Sequence, residues 1–194
     1  AAEDQLRSRQ YDAAISSLES VISEYQRQKW DMEAAARVAE IYLTVPAKKY
    51  PKRAVAVLDR VVRNVPKAEL PADIQLMYWS SLLSQGPGSA STLKPELDAA
   101  IAGGQRELVA AAYVARGSLN HVNGQREAAV MDYLRVVILF ENVRSVQAEA
   151  LFKAAALLDE LKDKGNRGDL LRGIIVEKYP DSPYFEEARR KRGG

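Results

Sequence analysis

The chain contains no cysteine. That excludes disulfides, cysteine-ligated zinc and a thiol nucleophile, and it leaves the compartment open, because oxidising and reducing surroundings both tolerate the absence. There is a single histidine, His121. A histidine-based zinc site needs two or three converging imidazoles, so His121 reads as an ordinary helix-end residue. No apolar run reaches the roughly 18 residues of a membrane span. The net charge of +2 is too slight to point to nucleic acid, whose binders gather Lys and Arg on one face. Glycine (11) and proline (8) are modest among 194 residues, and a 47% hydrophobic, 28% charged chain can bury a substantial core.

Catalytic motifs are missing as well. There is no GxSxG element. Gly86-Pro87-Gly88-Ser89 lacks the following GK[ST] of a phosphate-binding loop and joins no strand to a helix, so it reads as a flexible hairpin turn. Asp159, Glu160 and Asp163 gather at a helix end, where a solvated face is the simpler reading than an acid/base pair. No catalytic residue, metal site or cofactor is expected.

What is present is a recurring helical pattern. Tyr11 to Tyr25, Arg53 to Pro66, Arg126 to Phe140 and Asp169 to Pro180 each carry apolar residues three and four apart, one face of a helix. Three of them align without gaps on a small residue, a large one four later and a valine three after that: Ala14, Leu18, Val21; Ala54, Leu58, Val61; Ala129, Tyr133, Val136. Between them lie further helical patterns, Asp31 to Val45, Pro71 to Gln85, Gln105 to Val122 and Ser145 to Lys162, with a weaker one at Thr92 to Ile101. The small position falls at Ala14, Ala54, Leu93, Ala129 and, after a one-residue insertion, Gly168, in steps of 40, 39, 36 and 39 residues. Such a period suits a two-helix repeat.

Punctuation agrees. Pro46, Pro66 and Pro180 stand at predicted helix ends, and Pro51 and Pro71 at predicted starts. Asn123-Gly124 and Lys164-Gly165 mark tight turns. Asp181-Ser182-Pro183 reads as an N-cap followed by proline, opening a last helix over Tyr184 to Arg192. No convincing strand exists; Val136 to Phe140 is β-prone alone but reads as a buried helix end within its periodic segment. Most of the 14 aromatic residues, Trp30 and Trp79 among them, are expected in the core.

These residues resemble tetratricopeptide repeats. In the fourth hairpin Gly117 stands at the small position of the first helix, Gly124 at the turn, Ala129 at the alanine opening the second helix and Tyr133 at the aromatic four later. The second supplies Ala39, Tyr42, Ala54, Leu58, Val61 and Pro66. The ending YPDSPYFEEA, Tyr179 to Ala188, is similar to the junction in bacterial envelope members such as outer-membrane-assembly lipoproteins and Tol-Pal accessory proteins. Two departures stand out: the third hairpin lacks the glycine and alanine signatures, and the fifth carries Arg172 where a large apolar residue is expected.

The resemblance implies an all-α fold, a right-handed superhelical solenoid of about five antiparallel helix pairs with a C-terminal capping helix. It implies one domain over 1–194, with hairpins near 1–28, 31–66, 71–104, 105–142 and 145–180 and a cap at 183–192. Carried over, the family's groove positions are Glu33, Ala36 and Glu40, then Gln75, Tyr78, Leu82 and Gln85, then Ala111, Val114, Ser118, His121 and Val122, then Glu149, Phe152, Ala156 and Asp159. This set lacks the Lys/Asn clamp for a peptide carboxylate. An extended or helical protein segment packing on Tyr78, Leu82, Val114 and Phe152 is the expected ligand.

The expected function is thus a protein-interaction scaffold without catalysis, in the periplasm or cell envelope, with the cytoplasm as alternative. Two rivals are a self-assembling structural subunit, favoured by an apolar edge at Ile15, Leu18 and Ile22, and the non-catalytic repeat domain of a larger enzyme. The opening Ala1-Ala2-Glu3-Asp4 fits both a chain after signal-peptide removal and an excised fragment. Basic clusters at Lys48, Lys49, Lys52, Arg53, Arg60, Arg63 and Lys67, and at Arg189 to Arg192, read as solvated surface, with contact to anionic lipid headgroups, nucleic acid or an acidic partner as the alternative, of which nucleic acid is weakened by the few interleaved aromatics.

Overall fold

The computed structural model describes residues 2–24, 29–66 and 69–192, and the side chains of 29, 30, 87 and 89–91 are outside that description. The expected positions of Tyr25, Lys67, the Trp30 side chain and the end of the first hairpin therefore lie outside the described residues. All regular structure among the described residues is helical: α1 (Ala2–Arg7), α2 (Tyr11–Glu24), α3 (Lys29–Thr44), α4 (Pro51–Asn64), α5 (Ala72–Leu83), α6 (Pro87–Gly103), α7 (Arg106–Val122), α8 (Arg126–Leu139), α9 (Arg144–Glu160), α10 (Arg167–Lys178) and α11 (Phe185–Lys191). The chain divides into two compact units, 1–89 and 90–194, and in each of them successive helices pack on one another, α1 to α5 in the first and α7 to α11 in the second.

In the first unit, α1 to α5 stack in order and α3 also touches α5. The small–large–valine pattern faces inward: Ala54, Leu58 and Val61 are buried, as are Ala14 and Leu18, with Val21 half-buried. Ile15, Leu18 and Ile22 belong to one core with Ala35, Val38, Tyr42 and Leu58. The apolar edge expected to lie open on the first hairpin is therefore covered, because α1 and α3 both pack on α2. Pro51 opens α4 and Pro66 follows its end, as proline's fixed φ and missing amide require.

In the second unit, α7 to α11 pack in sequence and α7 also touches α9. Ala129, Tyr133 and Val136 are buried, and so are Gly168, Arg172 and Ile175. A Cβ at Gly117 would sit 2.6 Å from the Tyr133 ring, so the mid-α7 glycine is what lets α8 bring its aromatic that close. Gly124, at φ +76°, makes the turn between them.

Three expectations need correction. Gly86-Pro87-Gly88-Ser89 is not a loop throughout: α6 begins at Pro87 and runs on through Pro95, whose ring removes one amide donor from the helix interior. Val136 to Leu139 is helical, but Ile138 and Leu139 are 71% and 56% exposed rather than buried. Lys164-Gly165 does form the expected turn, with Lys162 and Asn166 beside it in the left-handed region. Asp181-Ser182-Pro183 forms turns, and α11 starts at Phe185 without a side-chain cap. In α10, Leu170 points outward at 66% exposure and Arg172 is buried, at the position where the spacing placed it in line with Leu58 and Tyr133.

Candidate functional site

The first unit carries a cleft of about 520 Å³ between α1, α2, α3 and α5. Its floor is apolar, formed by Leu18, Val21, Ala36, Ile74 and Met77. Its rim is charged, with Glu3, Glu33, Glu40 and Asp73 and the guanidinium of Arg37. The α3 spacing explains this arrangement, since residues 33, 36, 37 and 40 recur at three- and four-residue intervals and so share one helical face. Arg37 lies 3.0 Å from Glu40 and 3.6 Å from Glu3. All three side chains are about half or more exposed, so these pairs contribute little to stability, of order 0–1 kcal/mol each. The Asp73 carboxylate accepts the Ile74 amide at 3.0 Å, at the start of α5.

Of the expected groove residues, Glu33, Ala36 and Glu40 line this cleft. The α5 set does not. Gln75 is 3% exposed, Tyr78 turns towards α4 and donates its hydroxyl to Asp59 at 3.1 Å, Leu82 is half-buried and Gln85 lies past the helix end. Asp73, Ile74 and Met77 face the cleft instead. The sequence of α5, ADIQLMYWSSLL, is apolar nearly all round, so periodicity alone selects no face. The acidic residues along α3 and at the start of α5 were the signal that could have found the rim.

In the second unit Val114 and Ala111 are fully buried and present no surface to a partner. Both fill the interior of α7 because that helix is covered by α8 on one side and α9 on another. His121 is exposed, 3.7 Å from Glu160, which also holds Arg126 at 3.2 Å. Asp159 is engaged by Arg172 at 2.7 Å. Glu149, Ser118, Phe152 and Ala156 are half-buried, and Val122 is exposed.

Ser118 and Glu149 belong to a polar cluster with two residues the sequence did not single out as site residues, Lys153 and Tyr184. The Lys153 ammonium donates to Ser118 Oγ at 2.8 Å and pairs with Glu149 at 2.7 Å. The Ser118 hydroxyl also meets the Tyr133 hydroxyl at 3.1 Å, and Phe152 stacks on Tyr184 at 4.9 Å. Burial opposes the Lys153 charge, but the Glu149 carboxylate and the Tyr133 phenol outweigh it and raise its pKa. Burial raises the pKa of Tyr133 and of Tyr184 too. A lysine so held stays protonated and donates hydrogen bonds, whereas activating a serine would need a neutral amine.

Below that cluster runs a second network. Asp132, 1% exposed, accepts from Arg116 at 2.9 and 2.8 Å, from Asn120 at 3.0 Å and from Arg135 at 2.6 Å. Arg116 continues to Asp98 on α6 at 3.1 Å, which ties α6, α7 and α8 together. The bidentate Asp132 raises the Arg116 pKa above that of a free guanidinium. The basic clusters are partly absorbed by neighbours: Lys48 pairs with Asp12, Arg63 with Asp59, Arg189 with Glu186 and Lys191 with Glu187, and Arg53 lies over the Tyr42 and Tyr50 rings.

No group of three or more His, Asp or Glu side chains among the described residues is arranged to hold a metal ion, and no helix there is long and apolar enough to cross a membrane. No protein-family model matches the chain, and no curated protein matches its sequence.

Proposed function

We propose that this chain is a protein-interaction module of the tetratricopeptide-like kind, with the cleft of the first unit as its docking face. The observation that carries the reading is the cleft itself: an open apolar floor inside a charged rim, formed by α1, α2, α3 and α5. The repeat reading is supported by the sequential packing, by the α3–α5 and α7–α9 contacts that helix pairs make when they stack, and by the close approach of Gly117 to Tyr133. On this reading the helix pairs are antiparallel and build a right-handed solenoid. A partner segment is held by shape and surface complementarity, without chemistry. The proposed location is the bacterial periplasm or envelope, in keeping with the YPDSPYFEEA junction.

A photo-crosslinking residue at Ala36 or Met77, compared with one at the exposed Arg60 of α4, tests the docking face. The reading expects one defined partner segment, captured from a lysate of the source organism at the two cleft positions and not at Arg60. Equal capture at all three positions, or none at the cleft, overturns it. The rival of self-assembly keeps one supporting feature, the exposed Met131 and Ile138 of α8. Light scattering of the isolated chain across concentration separates the two, since only self-assembly gives a concentration-dependent mass.

A further inference from the structure

We infer that two copies of this chain pair through the outer face of α8, antiparallel, about a two-fold axis at Met131. The inference is independent of the docking reading, because α8 belongs to the second unit and the cleft to the first. The apolar face is the first ground. Met131, Ile138 and Leu139 are exposed on α8, and Leu134 among them is half-buried. Residues 127, 131, 134, 135 and 138 recur at three- and four-residue intervals, so they form one stripe along the helix. The other side of α8 is packed, with Ala129, Tyr133 and Val136 buried. A contiguous apolar stripe on an otherwise polar surface marks a contact face.

Charge is the second ground, and it selects a second copy as the occupant. Glu127 and Arg135 stand four residues before and four after Met131. Glu127 is exposed and pairs with no described residue. Arg135 bonds Asp132 through one terminal nitrogen, its side chain is 41% exposed, and its remaining N–H groups donate to no described residue. Two turns of helix separate the two charges, about 12 Å along the axis, so they do not neutralise each other within one chain. With a two-fold axis at Met131, residues equally far before and after it lie level with one another. Glu127 then meets the partner's Arg135, and Arg135 meets the partner's Glu127. A parallel pair would instead set like charges together, so charge fixes the direction. Shape agrees. The same operation lays Ile138 on the partner's Gly124 and Leu134 beside the partner's Ala128, large against small at both places. The turn at Gly124 is open, since a Cβ there would meet nothing within 4 Å. Met131 meets its own copy, and its unbranched side chain adapts to that contact. Shifting the axis to lie between Leu134 and Arg135 would put Arg135 against leucine and leave Glu127 unmatched. One surface patch thus complements itself, as an isologous dimer requires.

One helix face is a small interface, so the pairing is weak and is sought by sedimentation equilibrium of the full chain up to about 1 mM. A monomer–dimer equilibrium is expected. Because the chain has no cysteine, Met131→Cys supplies its only thiol. In helices packed about 8–10 Å apart, with Cα atoms about 2.3 Å from each axis, the two Cα atoms at position 131 approach within about 6 Å, inside disulfide range. Met131→Cys is therefore expected to form a disulfide-linked dimer in a glutathione redox buffer. Leu170→Cys, an exposed position of the same unit on α10, is not. Ile138→Asp is expected to abolish the dimer, and Glu127→Lys to weaken it about tenfold, with circular dichroism confirming that both exposed changes leave the helices intact. A monomer at about 1 mM overturns the inference. So does a dimer that Met131→Cys does not trap, a dimer unaffected by both Ile138→Asp and Glu127→Lys, or a mass that climbs past the dimer, since a two-fold pair closes. A dimer lost only on changing Ala36 or Met77 also overturns it, in favour of the cleft as the contact. Crosslinks at Ala36 and Met77 report on the cleft alone. Their failure removes the docking reading and leaves the pairing, whereas failure of the pairing leaves the docking reading.

Discussion

The side of the first unit formed by α3 and α5 and the side of the second formed by α7 and α9 come from the same kind of helix succession, and they are finished in opposite ways. In the first, the residues between the helices stop short: Ala36 and Met77 leave a cleft, and charge collects only at its rim. In the second, side chains of α7 and α9 bond to each other. Lys153 reaches back to Ser118, Glu149 pairs with it, and Tyr184 closes over Phe152. The α7–α8 packing is further braced by a buried carboxylate with three partner residues. A cleft thus remains only where the side chains between the helices leave the space unfilled. Where long polar ones can pair with each other, the same geometry becomes internal bracing.

The sharpest way to break this comparison is Asp132→Ala. Removing the acceptor leaves Arg116 and Asn120 part-buried without it, and losing one partner of a buried ion pair costs about 3–5 kcal/mol. A loss near 3 kcal/mol is expected in a urea titration, since Arg116 keeps Asp98 and Arg135 is 41% exposed. A loss under about 1 kcal/mol would mean that the network is not the brace described here.

Next in size is Gly117→Ala. The added methyl must displace the Tyr133 ring, at an overpacking cost of about 1–3 kcal/mol, less about 1 kcal/mol of gained helix propensity. A net destabilisation of up to about 2 kcal/mol is expected. The pair Gly117→Ala/Tyr133→Leu should cost less than the sum of its single changes, a coupling that a double-mutant cycle reads directly.

Arg172 sharpens the question of what its position requires. Arg172→Ala should cost about 2 kcal/mol, through lost packing and the loss of its bonds to Asp159 and Asp169. Arg172→Leu should fall within about 1 kcal/mol of the natural chain, because a buried ion pair is often no more stabilising than an apolar group of similar volume. Thermal melts of the two variants side by side check this.

The smallest effect is a titration. The Arg167 side chain, its backbone amide and its charge hold the Asp163 carboxyl down at about 2. A carboxyl depressed on folding contributes stability that is present above its unfolded pKa of about 3.9 and is lost as pH falls towards about 2. In Arg167→Ala the Asp163 carbon resonance should titrate closer to the ordinary carboxylate range, with the backbone amide bond of residue 167 retaining part of the shift. An unchanged titration would remove Arg167 as the cause.

Much of the helical order was legible from residue spacing. Ala54, Leu58 and Val61, and Ala129, Tyr133 and Val136, are buried where a 3.6-residue period puts them. The ends of α4 and α10 were legible in Pro51, Pro66 and Pro180, because proline's constraint is local. The face of α5 was not, because Ile74, Leu76, Met77, Tyr78, Trp79 and Leu82 surround that helix and only its neighbours choose among them. Exposure of Ile138 and Leu139 was equally hidden, since hydrophobicity states a preference for burial and not whether a neighbour arrives.

By itself the sequence determined an all-helical chain with hairpin-scale repetition, since helical period, turns and proline limits act over a few residues. Tertiary structure decided the rest. It turned the expected groove residues Val114 and Gln75 into core, put Arg172 in place of an apolar group by giving it Asp159 and Asp169, and drew Glu3, Glu33, Glu40 and Asp73 to the rim of one apolar cleft. Those outcomes depend on which helices meet. Charge pairing and exposure are properties of residues brought together from distant parts of the chain, and no local spacing encodes them.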